Sequence, residues 1–294
     1  MAHGSGKLLI TLLCQLTDST VQPMDVLALI ITTLTAILSP GGMVVDHLAE
    51  QAVRSQTAGI ERIQVRIDNA PNYQILWGHI DQVRISAGGV YLRQLPDLRV
   101  DGFDLETDPL DVDGAALRQG HLKLDKPAQA ALHLRLKASD LNIFLASAGV
   151  QTWLNDLQFN LSGFGLQREQ RRYGLSHPSI EFLSGDRLRL AIDLQDRLTQ
   201  DSIPIVIETG LEVVQGDRLR LINPTVTIEG IEAPPQLITS LAEGASQEFT
   251  LRRLEQLGLV LRVLTLKVTD NSLELAVFAR LEPTSPLLQK QSGQ

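Results

Sequence analysis

Four stretches of the chain alternate between aliphatic residues and mostly polar ones. Ile63, Val65 and Ile67 interleave with Gln64, Arg66 and Asp68, and Leu132, Leu134 and Leu136 with His133, Arg135 and Lys137. Leu188, Leu190, Ile192 and Leu194 interleave with Arg189, Ala191, Asp193 and Gln195, and Leu273, Leu275, Val277 and Ala279 repeat the pattern near the end. A period of two puts one face of a strand against an apolar layer and the other in water. The pattern predicts strands near 60–69, 79–86, 89–93, 97–106, 121–125, 129–138, 156–164, 172–176, 179–183, 186–196, 203–214, 217–222, 225–230, 259–269 and 272–282. Gly88-Gly89, Gly185-Asp186, Gly216-Asp217, Asn223-Pro224 and Asp270-Asn271 lie between these runs and read as hairpin turns. The spacing is that of an antiparallel meander, not of alternating strands and helices. Gly-Asp-Arg-Leu-Arg-Leu occurs at 185–190 and again at 216–221, a shared turn-and-strand start.

Helical periodicity is scarcer. Val44, Val45, Leu48, Ala49, Ala52 and Val53 fall on one side of a predicted helix running to about Thr57, with Gly59 as its stop. Ser139 reads as the cap of a helix Asp140–Ala148 that carries Leu141, Phe144 and Leu145. Pro234-Pro235 opens a second helical region reaching about Leu257, whose apolar residues, among them Leu237, Ile238 and Leu241, are interrupted around Gly244. Residues 284–294 read as a disordered tail.

Residues 26–38 are an uncharged apolar run broken only by threonines. A spanning helix needs roughly 20 apolar residues, so the run is short for crossing a bilayer. Asp25 stands where a signal peptide would carry basic residues, and no small-residue cleavage site follows. Three readings fit the run: a membrane-attaching segment, a buried core helix, and a cleaved signal. The first is preferred, which places the chain at a membrane through 26–38. Met24, directly before the run, is a candidate natural start.

Composition narrows the function classes. The chain has 294 residues, 44% hydrophobic and only 4% aromatic, so its interior is aliphatic and lacks the rings of a nucleic-acid stacking platform. A net charge of −8 repels nucleic acid and anionic surfaces. Cys14 is the only cysteine, so neither an intrachain disulfide nor a thiolate metal cluster can form.

No catalytic motif stands out. Gly4-Ser5-Gly6-Lys7 has the wrong spacing for a phosphate loop. Aligning Asp111, Asp113 and Gly114 with a calcium loop puts Pro109 and Gly120 at the two essential carboxylate positions, so this segment reads as a solvated turn. His121 and His133 read as a surface pair across a hairpin, and Asp46, His47 and Glu50 as a solvated helix face. Neither set makes a metal site, and no cofactor is expected. Arg168, Arg171 and Arg172 form a local basic cluster, read either as an exposed loop or as a contact for phosphate headgroups.

From about Leu38 to Pro283 the chain resembles the LmeA-like phospholipid-binding family, in its cyanobacterial and plastid branch. The resemblance rests on five ordered pieces: Leu38-Ser39-Pro40 with the helix ending Ala52-Val53-Arg54-Ser55-Gln56; the run from Val65 through Asn69-Ala70-Pro71 and Gly78-His79-Ile80-Asp81 to Ile85; Leu105-Glu106-Thr107-Asp108-Pro109-Leu110; Ala138-Ser139-Asp140-Leu141-Asn142; and the paired strands between Leu257 and Leu281.

The resemblance implies an α+β fold of tubular lipid-binding (TULIP-like) type. A strongly curved, mainly antiparallel sheet would wrap one or two long helices, beside an N-terminal apolar helix. Residues 1–42 would be the membrane-associating extension, 43–283 a single lipid-binding domain and 284–294 the tail. The expected function is non-catalytic binding or transfer of phospholipid at a membrane surface. Acyl chains would lie against Val44, Leu48, Val53, Leu141, Leu145, Leu237 and Leu241, with Arg168, Arg171 and Arg172 at the headgroup. Such binding is plausible energetically, since burial returns roughly 0.8 kcal/mol per CH₂. The alternative is a structural or interaction domain of the cell envelope or photosynthetic membrane whose core is filled by its own helices. The sequence names no protein partner, lipid species or side of the membrane.

Overall fold

The computed structural model describes Arg54 and residues 57–289, apart from 72–73, 75–76, 93–94, 119–122, 157–172, 237, 240–241 and 243–249. The chain separates into two compact units. Among the described residues, one unit holds those up to 135 together with 251–265 and 274 onward. The other holds 136–250 and the hairpin tip 266–273.

The first of these units carries eight strands among the described residues, six of them in one sheet. In chain order the strands are β1 (Thr57–Asp68), β2 (His79–Ile80), β3 (Gln82–Leu92), β4 (Arg99–Thr107), β5 (Leu110–Asp111) and β6 (Ala128–Lys137). After the other unit's strands come β12 (Leu259–Val268) and β13 (Ser272–Leu281). The sheet order is β1-β3-β4-β6-β13-β12, with β2 and β5 forming a separate two-stranded clip. The pairings β1–β3, β3–β4 and β4–β6 are antiparallel. Val65, Ile85 and Leu105 occupy one row of β1, β3 and β4, and all three are buried. The polar partners of the alternation, Arg66, Arg84 and Glu106, fill the next row on the opposite face.

The other unit carries β7 (Tyr173–Leu183), β8 (Arg187–Asp196), β9 (Ser202–Val214), β10 (Arg218–Ile228) and β11 (Ile231–Glu232), in the order β11-β10-β9-β8-β7. Every neighbouring pair is antiparallel, as the meander spacing predicts. Leu190 pairs with Ile207 and Ile192 with Ile205, so the aliphatic set lies on one face. Glu181, Arg189 and Glu208 pair across three strands on the other, with Arg189 bonded to both carboxylates at 2.5 and 2.7 Å. Two helices, α2 (Ala138–Leu145) and α3 (Ala148–Asp156), follow β6 and pack on the apolar face. The short helices α1 (Gly114–Arg118) and α4 (Pro286–Gln289) and a 3-10 segment (Leu251–Leu257) complete the elements.

Several expectations change. Thr57-Ala58-Gly59 already belongs to β1, with Gly59 opposite Tyr91, so Gly59 does not stop a helix. Gly88-Gly89 lies inside β3 rather than in a turn. A Cβ on Gly89 would fall 2.2 Å from the Glu61 side chain, so the glycines make room for β1 side chains. Asn223-Pro224 is a bulge within β10, where the register with β9 shifts, and His177-Pro178 makes a matching irregularity in β7. Proline has no N–H for the ladder, so within a strand it is confined to edges and bulges. The two Gly-Asp-Arg echoes both sit in three-residue loops, at 184–186 and 215–217, but their left-handed residues differ: Gly185 and Asp186 in one, Gln215 and Gly216 in the other. They share turn chemistry, not geometry.

Helix α2 begins at Ala138 with Lys137 at its cap position and no side-chain cap bond, so Ser139 lies inside the first turn. The predicted strand near 156–164 begins where α3 ends. The longest α-helix among the described residues has nine residues. The expected long helix over 43–58 and the N-terminal apolar helix lie outside the described residues. Both large sheets are open, with β1 and β12 at the edges of one and β11 and β7 at the edges of the other. At the C-terminal end, Leu287 and Leu288 of α4 are buried, so Ser285–Leu288 is docked where the sequence reads as a tail.

Candidate functional site

The apolar interior of the six-stranded sheet is not covered evenly. In β3 and β4, Val83, Ile85, Val100, Phe103 and Leu105 are buried. In β6 no residue is buried, although Leu132 and Leu134 continue the rows of Leu105 and Phe103. In β13 only the end residues Ser272 and Leu281 are buried, and in β12 only Leu259 and Val268. Between those ends, Leu275, Val277 and Ala279 of β13 and Val260 of β12 stay half-buried. Leu264 is 66% exposed. Three adjacent strands rich in aliphatic residues therefore present a partly open apolar surface. Large apolar patches of this kind mark contact sites for apolar partners.

The apolar face of the five-stranded sheet is filled at one end by its own helices. Val150 and Leu154 of α3, one turn apart, pack with Leu175, Ile192 and Leu194, joined by Phe144 and Leu145. A second cluster gathers Phe182, Leu188 and Val268, with Leu141 against it. A third joins Ile207, Val226 and Ala233 with Ile238. Leu190, Ile205, Leu211, Leu221 and Ile228 remain half-buried on this sheet.

Of the residues singled out from sequence, Leu141 and Leu145 thus lie together on one side of α2, four residues apart and half-buried. Val44, Leu48, Val53, Leu237 and Leu241 lie outside the described residues, as do Arg168, Arg171 and Arg172 and the apolar run 26–38. So do His47 and His121. His133 sits 3.5 Å from Asp104 and 4.0 Å from Glu274.

One polar cluster escaped the sequence reading. His79 Nδ1 lies 2.6 Å from Asp111 Oδ1, and its Nε2 lies 3.2 Å from Asp81. Lys126 Nζ reaches the other Asp111 oxygen at 2.7 Å. The hydrogen bond to Asp111 raises the His79 pKa above its ordinary value of 6.5, and the charge of Asp81 adds to the effect. Lys126 and then His79 lower the Asp111 pKa. Asp113, the neighbour in the acidic run, caps α1 by accepting from the N–H groups of Ala115 and Ala116. The acidic run is thus a structural clip in which each of these two carboxylates has partners. No group of three residues placed to hold a metal occurs among the described residues.

No helix among the described residues is long and apolar enough to cross a membrane. No curated protein and no solved structure is significantly similar to the chain. The model of the LmeA-like phospholipid-binding family matches residues 38–278, most of the sequence, and the chain belongs to that family.

Proposed function

We propose that this protein binds phospholipid without catalysis and works at a membrane surface, with acyl chains lying on the half-covered aliphatic strands. The observation that carries this reading is the loss of burial from β4 to β6, β13 and β12, in a chain of a phospholipid-binding family. Flexible chains need no specific polar partners, and an aliphatic wall with few rings suits them. Leu141 and Leu145, with Val44, Leu48, Val53, Leu237 and Leu241, complete the apolar lining in this reading. Arg168, Arg171 and Arg172 meet the headgroup, and residues 26–38 attach the chain to the membrane. Trp77, 70% exposed, offers a ring suited to the lipid–water interface.

A second reading, an interaction domain with a self-filled core, is favoured by the packing of α3 into the five-stranded sheet. Lipid extraction and native mass spectrometry of the purified protein separate the two. The lipid reading expects bound phospholipid, strongly reduced by Leu134→Glu in a protein that keeps its strand content. A folded protein that never carries phospholipid would leave the self-filled reading standing.

A further inference from the structure

The polar face of the six-stranded sheet contains one row unlike its neighbours. Arg62 of β1 stands opposite Gly88 of β3, Gly88 opposite Gly102 of β4, and Gly102 opposite Arg135 of β6. The row therefore reads arginine, glycine, glycine, arginine across four strands. The two glycines leave no side chains at its centre, and a recess of about 410 Å³ opens there. That volume lies within the roughly 300–1,000 Å³ of small-molecule sites.

Both guanidinium groups lean over the glycines. Arg62 Nη2 lies 3.1 Å from where a Gly88 Cβ would stand, and Arg135 Nη2 lies 3.4 Å from the Gly102 position. Directly opposed Cβ positions in a sheet are about 5 Å apart, so the two cations approach a common centre.

The next two rows on this face carry both signs. Asp104 lies beside His133 in the first, and Arg84 meets Glu106 in the second. The Arg62–Arg135 row holds no carboxylate. Two acids also line the recess: Asp101 is paired with Arg99 and with Arg135 Nε at 2.7 Å, and Asp104 accepts from the Ser86 hydroxyl at 2.5 Å and lies 3.5 Å from His133. Glu61, beside Arg62 in sequence, is held by two bonds from Arg99. Arg62 makes no hydrogen bond or ion pair among the described residues, and Arg135 uses only Nε. Unengaged N–H groups thus border the trough from both sides.

We propose that this trough binds a phosphate-bearing anion, held between the Arg62 and Arg135 guanidinium groups. Guanidinium forks match phosphate oxygens in geometry as well as charge. The ligand is either a lipid headgroup or a free phosphate. The site is on the polar face, so it stands independently of the apolar surface.

Calorimetric titration of the full chain with inorganic phosphate, and separately with glycerophosphoglycerol, a headgroup diester without acyl chains, tests the assignment. Binding of the diester points to a lipid headgroup, and binding of phosphate alone to the free ion. In either case Arg62→Gln, at an exposed position with no ion pair to lose, weakens binding about tenfold or more. Gly88→Ala keeps both arginines, puts a methyl group in the trough and also weakens binding. If the wild-type protein binds neither probe at millimolar concentration, or if Arg62→Gln binds as the wild type does, the site is refuted.

Discussion

Asn142 of α2 satisfies both backbone groups of Ile180 in β7: its Nδ2 donates to the Ile180 carbonyl and its Oδ1 accepts from the Ile180 N–H, each at 2.8 Å. Strand β7 is an edge of its sheet, so these groups have no strand partner on that side among the described residues. The amide stands in for a strand residue and pins the helix to the sheet edge. This gives the Asp140-Leu141-Asn142 segment a structural role. Asn142→Leu is expected to cost about 2–3 kcal/mol, two hydrogen bonds less some compensation by water. Asn142→Asp keeps the acceptor and turns a carboxylate oxygen towards a carbonyl, so it is expected to be destabilising too. Denaturant titration of both variants checks this, and a midpoint unchanged in Asn142→Leu would show that the pair is incidental.

The His79 clip makes a pH-dependent contribution whose sign follows from its partners. A raised histidine pKa means that folding favours the imidazolium. That stabilisation is complete below the ordinary 6.5 and is lost as pH rises through the raised value. The lowered Asp111 pKa contributes above 3.8 and is lost as pH falls through its own lowered value. The clip should therefore be firmest between about pH 4 and 6.5. Hydrogen-exchange protection at Val112, whose N–H bonds the Gly78 carbonyl at 2.9 Å, should decline above that window. His79→Gln should flatten the dependence. Equal protection factors at pH 6 and pH 9 in the wild type would contradict the assignment.

Much of the sheet was legible because alternation is a local signal. Leu188 to Leu194 and Leu132 to Leu136 could be placed without knowing any partner strand. The errors arose where a local cue had a long-range cause. Gly88-Gly89 looks like a turn by itself, yet its reason is the Arg62 and Glu61 side chains of another strand. Asn223-Pro224 has turn chemistry but serves a bulge, because β9 continues beside it. Helix α3 contains Gly149, Val150 and Thr152, which are poor helix formers. What sustains it is the packing of Val150 and Leu154 on β7 and β8. The same limit hid the polar features. His79 and Asp111 are 32 residues apart, and the Arg62–Arg135 row exists only once four strands are in register.

The docked C-terminal end gives a third prediction. Ser285 Oγ donates to the Leu257 carbonyl at 2.5 Å, and Glu282 N donates to the Gly258 carbonyl at 2.9 Å. Gly258 has φ +71, and a Cβ there would come within 3.1 Å of the Ser285 backbone. Gly258→Ala therefore combines a left-handed conformation with a close approach to backbone, and should cost about 1–2 kcal/mol or more. Removing residues 284–294 exposes the sites of Leu287 and Leu288 and should lower the thermal midpoint as well. A truncated protein as stable as the full chain would mean that this end does not contribute to the fold.

The proposed attachment to the membrane gives the last prediction. The net charge of −8 disfavours a purely electrostatic contact, so binding carried by the apolar run 26–38 should survive high salt. An interfacial or tilted helix fits its length better than a perpendicular span, which needs roughly 20 apolar residues. Deleting residues 1–38 should leave a folded protein, because β1 begins only at Thr57 and the described clusters draw on residues after it. In sedimentation with phospholipid vesicles at high salt, the full chain is expected in the pellet and the truncated chain in the supernatant, with strand content equal by circular dichroism. A truncated chain that still pellets would move the attachment elsewhere, with exposed Trp77 the next residue to replace. One that fails to fold would assign 26–38 to the core instead.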